Sequence, residues 1–343
     1  MAAPSLATVV VAYDSATELP ATLAALRAQM QDGDELVVVD NACSDDSAAV
    51  ARAAGADVIA MGRNAGFAGG CRAGADATGA PLLFFLNPDC VVEPGALAAL
   101  RAAAAERPRW GAWQALVTLP GGEQVNTSGG ITHWLGMGWA GQVGAPVASI
   151  DGGLREVSFA SGAALVVRRE AWEEADGFDA EYFMYGEDLD LSLRLRLAGW
   201  GVGLVPAAHV EHAYDFSKGA YKWFLLERNR WWTVLGAYPA PLLVALLPAL
   251  LAAEVALLAV AARGGWLREK LRAQAAVLRS LPWTLRRRRR VQSTRRASVG
   301  TFMGGLSAAL DSPFLGPVAE VRPLRALQSG YWSLIRAAIG GRA

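Results

Sequence analysis

The tripeptide Asn87-Pro88-Asp89 directly follows an apolar run, Leu82 to Leu86. A carboxylate there suits a hard divalent cation, which prefers oxygen ligands and is usually shared between one or two carboxylates and substrate phosphates. On its own the tripeptide favours a turn, because Asn-Pro is a common turn starter. A second acidic group, Glu187-Asp188-Leu189-Asp190, follows Tyr182-Phe183-Met184-Tyr185-Gly186. The dipole of a helix's first turn accounts for two of these carboxylates. It does not account for the aromatic residues around them, which suggest a partly dry pocket where a carboxylate's pKa rises and it can act as a base. His209 and His212 are two of the chain's 3 histidines. A lone histidine is more often structural than a ligand.

These groups need elements to hold them. Ala7 to Tyr13 is a valine-rich apolar run, as a buried parallel strand requires. Glu18 to Met30 carries Leu19, Leu23 and Leu26 at helical spacing. Strands are predicted at Glu35–Asp40, Asp57–Met61 and Leu82–Leu86, with helices at Ser47–Ala54 and from the glycine-rich turn through Ala77. Pro94 marks the first turn of the next helix. Such alternation implies an α/β sheet flanked by helices, with ligands beyond the carboxyl ends of the strands. Asp40, Asn64 and the pair Asn87/Asp89 stand at such ends. Trp110 to Ile150 reads as a hairpin plus a long loop, and Val157–Arg168 as a strand. Helices are predicted at Arg169–Ala175 and Glu187–Ala198, one or two short strands at Gly201–His212, and an aromatic-rich helix at Ser217–Leu235.

The chain has 343 residues, 53% hydrophobic and 19% charged, which excludes a disordered chain. The formal net charge is +0, so nothing pulls the whole molecule toward nucleic acid, and no nucleic-acid partner is expected. Arginines gather late in the chain, however. Cys43, Cys71 and Cys90 match neither a zinc site nor a disulfide framework and read as reduced cytosolic thiols. The first residues show no basic start followed by an apolar signal stretch, so the catalytic part is expected in the cytosol.

Five segments, in order, resemble the large inverting family of glycosyltransferases with the GT-A fold, family 2. They are the strand ending Ala12-Tyr13-Asp14, the stretch from Val38 to Ser47, Arg63 to Gly70, Leu86 to Asp89, and Glu187 to Leu191. The resemblance covers Ser5 to Leu235 and implies a Rossmann-like mixed sheet flanked by helices. It implies a metal-dependent hexosyltransferase using a nucleotide-diphosphate sugar and Mg or Mn. By that resemblance Tyr13, Asp14, Asp40, Asn64, Gly66, Gly69, Asn87, Asp89, Lys218 and Arg228 face the donor. Asp40 would hold its base, and Lys218 and Arg228 its diphosphate. Asp89 and His212 would bind the metal, and Asp188 would take the acceptor's proton. Glu187, Trp134 and Tyr185 are read on the acceptor side. Asp14 stands where Asn is common, and Asn87 replaces the first Asp of the metal motif. The Asn-Pro-Asp form resembles a rhamnosyltransferase subgroup, which implies dTDP-rhamnose as donor; UDP-galactofuranose is the alternative.

A catalytic domain is expected over residues 1–236 and a helical, apolar and basic extension over 237–343. Ala240 to Ala262 could span a bilayer, lie in one leaflet or form a buried hairpin. Glu254, Pro248 and basic residues on both flanks favour monotopic or re-entrant association at the cytoplasmic face. The run Arg286–Arg290, with Trp266 and Trp283 nearby, suits an anionic lipid surface or a solvated basic face. A membrane location would suit a lipid-linked or glycan acceptor, as in cell-wall polysaccharide assembly. A nicotinamide oxidoreductase is disfavoured because Tyr13-Asp14-Ser15-Ala16 holds no glycine, and a serine hydrolase because no Gly-X-Ser-X-Gly elbow occurs. A non-catalytic scaffold retaining the fold is the remaining rival.

Overall fold

A computed structural model describes residues 4–213, 219–311 and 322–340. Its elements begin with β1 (Leu6–Ala12), α1 (Leu19–Arg27), β2 (Glu35–Asp40), α2 (Ser47–Ala53), β3 (Asp57–Ala60), α3 (Gly66–Asp76), β4 (Leu82–Leu86), β5 (Cys90–Val92) and α4 (Ala96–Glu106). There follow β6 (Trp110–Thr118), β7 (Val125–Thr127), β8 (Gly130–Thr132), β9 (Gly138–Ala140), β10 (Arg155–Glu156), β11 (Ala164–Arg168), α5 (Arg169–Glu174), α6 (Glu187–Leu197) and β12 (Gly201–His212). The last helices are α7 (Tyr221–Ala237), α8 (Ala240–Arg263), α9 (Leu267–Arg279), α10 (Leu281–Ser293), α11 (Val299–Gly304) and α12 (Arg322–Ile339).

The contacts divide the chain into two compact units. One comprises Met1–Gly130, Ala140–Leu195 and Trp200–Asp215; the other comprises Ile131–Trp139, Arg196–Gly199 and Phe216–Ala343. The first unit holds a mixed sheet ordered β10-β12-β6-β11-β4-β1-β2-β3. β1 to β4 run parallel, and β11 joins β4 and β6 antiparallel. β1 and β4 are buried along their whole length, as their unbroken apolar runs require. α3 lies flush on β1 because Gly70 and Gly74 leave room: a Cβ there would meet Val11 at 2.6 Å and Val9 at 2.3 Å.

Trp110–Thr118 is a fully buried strand inside the sheet and pairs antiparallel with β7, and β8 pairs with β9, so the stretch read as a hairpin and a long loop does hold hairpin pairing. Two sequence expectations are corrected. Val157–Arg168 is not one strand; only Ala164–Arg168 pairs in β11, and the preceding segment is loop. Pro94 precedes the helix rather than starting it, since Gly95 at φ 87° is the cap of α4. β12 is a single strand whose pairing with β6 slips between Val205 and His209, around Pro206, which cannot donate to the ladder. Beyond that slip the strand also pairs with β5, which sets His212 opposite Cys90.

In the second unit α7 packs with α9 and α10. A buried ion network joins α7, α8 and α9. Arg230 pairs with Glu227 at 3.3 Å and with Glu254; Lys270 pairs with Glu254 at 2.7 Å and with Glu227. Burial would raise the Glu254 carboxyl, but Arg230 and Lys270 outweigh it and hold it below the ordinary value. Arg288 donates to the Leu235 and Tyr238 carbonyls at 2.6 and 2.8 Å, and Gln292 to Gly236 at 2.9 Å, which satisfies the end of α7. Arg287 is buried, so only Arg286, Arg289 and Arg290 of the arginine run are exposed.

Candidate active site

The loops after β1, β2 and β3 are tied together at the carboxyl edge of the sheet. Asn41, buried, donates to the Asn64 side chain at 3.1 Å and accepts from the Ala65 N–H at 2.8 Å. Asp40 accepts from the Cys43 N–H at 2.9 Å. Asp14, at φ 49°, accepts from the Ser44 N–H and hydroxyl at 2.6 and 3.0 Å. Asp14 and the Asn64 oxygen are therefore engaged within the protein, while Tyr13 is exposed. Gly66 and Gly69 were expected to admit a nucleotide by close backbone approach. A Cβ at Gly66 (φ 73°) would meet the Phe183 carbonyl at 2.3 Å, and one at Gly69 the Ala65 methyl at 2.9 Å, so both positions also pack closely within the protein.

Phe183 (φ 65°), Tyr185 (φ 68°) and Gly186 (φ 84°) take positive φ in the turn directly before α6. The Phe183 carbonyl accepts from the Ala68 N–H at 3.1 Å, which fixes this turn to α3. Left-handed non-glycine residues cost energy and persist where the surroundings enforce them. The turn presents the three carboxylates of α6's first turn differently. Asp190 is structural: it accepts from the Tyr182 hydroxyl at 2.8 Å and from Arg194 at 2.7 Å. Asp188 accepts from the Gly162 N–H at 3.0 Å through Oδ2. Glu187 is buried, and its Oε2 has no hydrogen-bond partner among the described residues. Burial, then the charge of Asp188, pushes the Glu187 carboxyl well above its ordinary value. Burial also raises Asp188, against the opposing hydrogen bonds from Gly162 and Leu189.

A second corner forms at the ends of β4, β5 and β12. His212 Nε2 lies 3.2 Å from Asp89 Oδ1 and 3.3 Å from Asn87 Nδ2. Asp89, Cys90 and His212 offer ligand atoms all within 4.8 Å of one another. Carboxylate and imidazole are a donor set suited to a divalent cation, with His212 buried and Asp89 part-exposed. Adjacent residues link this corner to Asp188. Gly162 donates to Asp188, while the next carbonyl, Ala163, accepts from the Asn87 N–H at 3.0 Å and the Cys90 thiol at 3.5 Å. The Gly162–Ala163 pair thus contacts Asp188 through one main-chain group and Asn87 and Cys90 through the next.

A model of glycosyltransferase-like family 2 matches residues 3–233. The chain belongs to that family. It is 37% identical over 144 residues to the N-acetylglucosaminyl-diphospho-decaprenol L-rhamnosyltransferase of Mycobacterium tuberculosis, covering 39% of this chain and 47% of the relative. It is 39% identical over 80 residues to the rhamnosyltransferase WbbL of Escherichia coli, covering 22% and 30%. The chain thus matches about half the length or less of these curated relatives. Among solved structures, GalNAc-T7 with UDP, GalNAc and Mn2+ has a TM-score of 0.57 at 16% identity, covering 69% of this chain and 48% of that one. TarS residues 1–349 of S. aureus has a TM-score of 0.50 at 12% identity, covering 97% and 90%. These likenesses show the GT-A fold of the family.

Lys218 lies outside the described residues. Arg228 belongs to the second unit, where its guanidinium stacks 4.1 Å from the Trp232 ring centroid. Trp134 is also in that unit, 3% exposed and stacked on Trp332, so its ring is occupied by packing and offers no open face to an acceptor. His209 pairs with Glu93 at 3.6 Å instead of joining His212. Asn41, Gly162 and Cys90 were not singled out from the sequence. Asn41 adjoins Asp40, which was a usable signal; Gly162 acts through its main chain and Cys90 through strand register, and neither leaves a mark in composition.

Proposed function

We propose that the chain is an inverting hexosyltransferase that moves L-rhamnose from dTDP-rhamnose to a lipid-linked or polysaccharide acceptor. The observation that carries this reading is the Gly162–Ala163 loop, which holds Asp188 on one side and the Asn87/Cys90 corner on the other. Asp188 takes the proton of the acceptor hydroxyl as its oxygen attacks the anomeric carbon. The bond to the diphosphate breaks on the opposite face, which inverts that centre. The Gly162 N–H orients the carboxylate, and its burial raises its proton affinity toward that of a working base. Asp89 and His212 would hold a divalent cation, Mg2+ or Mn2+, which when bound neutralises charge gathering on the leaving diphosphate. The Mn2+ in GalNAc-T7 and the acceptor named for the mycobacterial relative support the metal and the lipid-linked substrate. The subgroup resemblance supports rhamnose over galactofuranose.

The second unit supports action at a membrane surface. Among the described residues, α8 is the one helix long and apolar enough to cross a bilayer. Leu242, Leu246 and Leu250 on it are buried, while Val244, Leu251 and Val255 are exposed at 72%, 55% and 70%. Glu254 is pinned to Arg230 and Lys270, so a span would carry those charges into the bilayer with it. Exposed Leu271 and Leu278 lie among exposed Arg268, Arg272 and Arg279 on α9. An apolar face rimmed by arginines fits attachment to one leaflet. A donor panel with purified protein and metal tests the activity: turnover of dTDP-rhamnose supports the reading, and turnover of UDP-galactofuranose alone selects the alternative donor.

A further inference from the structure

We infer that Cys90 supplies sulfur as a third donor to the cation held by Asp89 and His212, which biases this site toward thiophilic divalent ions such as Co2+ and Zn2+ over Mg2+. This rests on the proposed metal role of Asp89 and His212. Cys90 and His212 are directly paired across β5 and β12, and directly opposite residues in an antiparallel pair point to the same face. Asp89 precedes Cys90, and its Oδ1 reaches His212 Nε2 at 3.2 Å. One oxygen, one sulfur and one nitrogen atom thus lie within 4.8 Å of one another. The sulfur is fully buried and, among the described residues, makes a long S–H contact, 3.5 Å, to the Ala163 carbonyl. Soft sulfur ligands favour later transition metals, whereas magnesium favours hard oxygen donors. Coordination forms a sulfur–metal bond and breaks the S–H bond; the proton leaves to solvent and no electron is transferred.

The other thiols lack this placement. Cys71 is buried on α3, and no metal-ligating group containing it occurs among the described residues. Cys43 sits near Asp14 and Asp45, but Asp14 is engaged by Ser44, and Asp45 by Ala16 and Ser47.

The test is a Co2+ titration of the full chain with and without dTDP, following the ultraviolet sulfur-to-cobalt charge-transfer band. Wild type and Cys43→Ser should show the band. Cys90→Ser and Cys90→Ala, both checked for folding by thermal melts, should lack it and bind Co2+ at least roughly tenfold more weakly, the loss that even an outer partner of a ligand produces. A band that persists in both Cys90 variants, or vanishes in Cys43→Ser, overturns the assignment. Co2+ bound to wild type without the band removes Cys90 but leaves Asp89 and His212 as metal ligands. Absence of Co2+ binding in either condition removes both readings.

Discussion

The Gly162 N–H donates to the Asp188 carboxylate at 3.0 Å, while the next residue's carbonyl is held by Asn87 and Cys90. One peptide loop therefore fixes the spacing between the candidate base and the candidate metal corner. Because the contact is made by main chain, a side-chain change at position 162 disturbs it only through sterics. A Cβ there would meet Phe67 at 3.1 Å and Asp188 at 3.7 Å. Gly162→Ala should fold but lower kcat on the order of tenfold or more, since small misplacements at a reacting centre are costly. Steady-state kinetics beside a thermal melt decides this; an unchanged kcat would free the loop from any positioning role.

Removing the Asp89 carboxylate should separate metal-assisted nucleotide binding from folding. Asp89→Asn keeps the shape of a part-exposed side chain. Wild type should gain thermal stability from dTDP plus Mn2+ by mass action, about 2.7 kcal/mol at a hundredfold excess over Kd. The variant should melt normally without ligand and lose most of that gain. Equal stabilisation of both proteins would show that Asp89 does not hold the metal.

Glu187 makes a pH-dependent prediction. Its carboxyl, unpartnered at Oε2, is buried and raised well above the ordinary 4.5. Below that value folded and unfolded chains both hold the proton. Above it the unfolded chain releases the proton while the folded chain keeps it, so wild-type stability falls as pH rises, by up to about 1.4 kcal/mol per pH unit from this group. Glu187→Gln has no such proton to lose. Its stability advantage should therefore grow as pH rises above about 5. Parallel melting curves across that range would expose an ionised Glu187 in the folded state.

Gly66 at φ 73° packs against the Phe183 carbonyl. Gly66→Ala adds both backbone strain and a clash at 2.3 Å, and should cost about 2 kcal/mol or more by chemical denaturation. A neutral substitution would mean that the turn before α6 is not anchored through α3.

The exposed face of α8 should carry membrane attachment. Leu251→Glu changes a half-exposed position and should leave the melting temperature unchanged while weakening binding to anionic vesicles roughly tenfold or more. Undiminished flotation with vesicles would move the attachment elsewhere.

Much of the frame was legible because it rests on local pattern. The apolar runs at β1, β2 and β4 and the leucine spacing of α1 are set by burial, and the sequence displays burial directly. That Trp110–Thr118 enters the central sheet, besides pairing with β7, was not legible because its glycine and tryptophan mixture carries no alternation. The glycines of α3 looked like a ligand loop, yet the atoms that need their space are Val9, Val11 and Phe183, which only tertiary packing brings there. The arginine run looked uniformly exposed, but Arg288 caps α7 from another helix. Likewise the pairing of Cys90 with His212 depends on strand register, which no residue type announces.

The most direct measurement compares Asp188→Asn with wild type in two assays, rhamnosyl transfer from dTDP-rhamnose and calorimetric binding of dTDP with Mn2+. Transfer should fall by roughly a hundredfold to ten-thousandfold, the usual contribution of a general base, while nucleotide binding stays within about twofold. A variant that transfers rhamnose at the wild-type rate would contradict the assignment of Asp188 as the base.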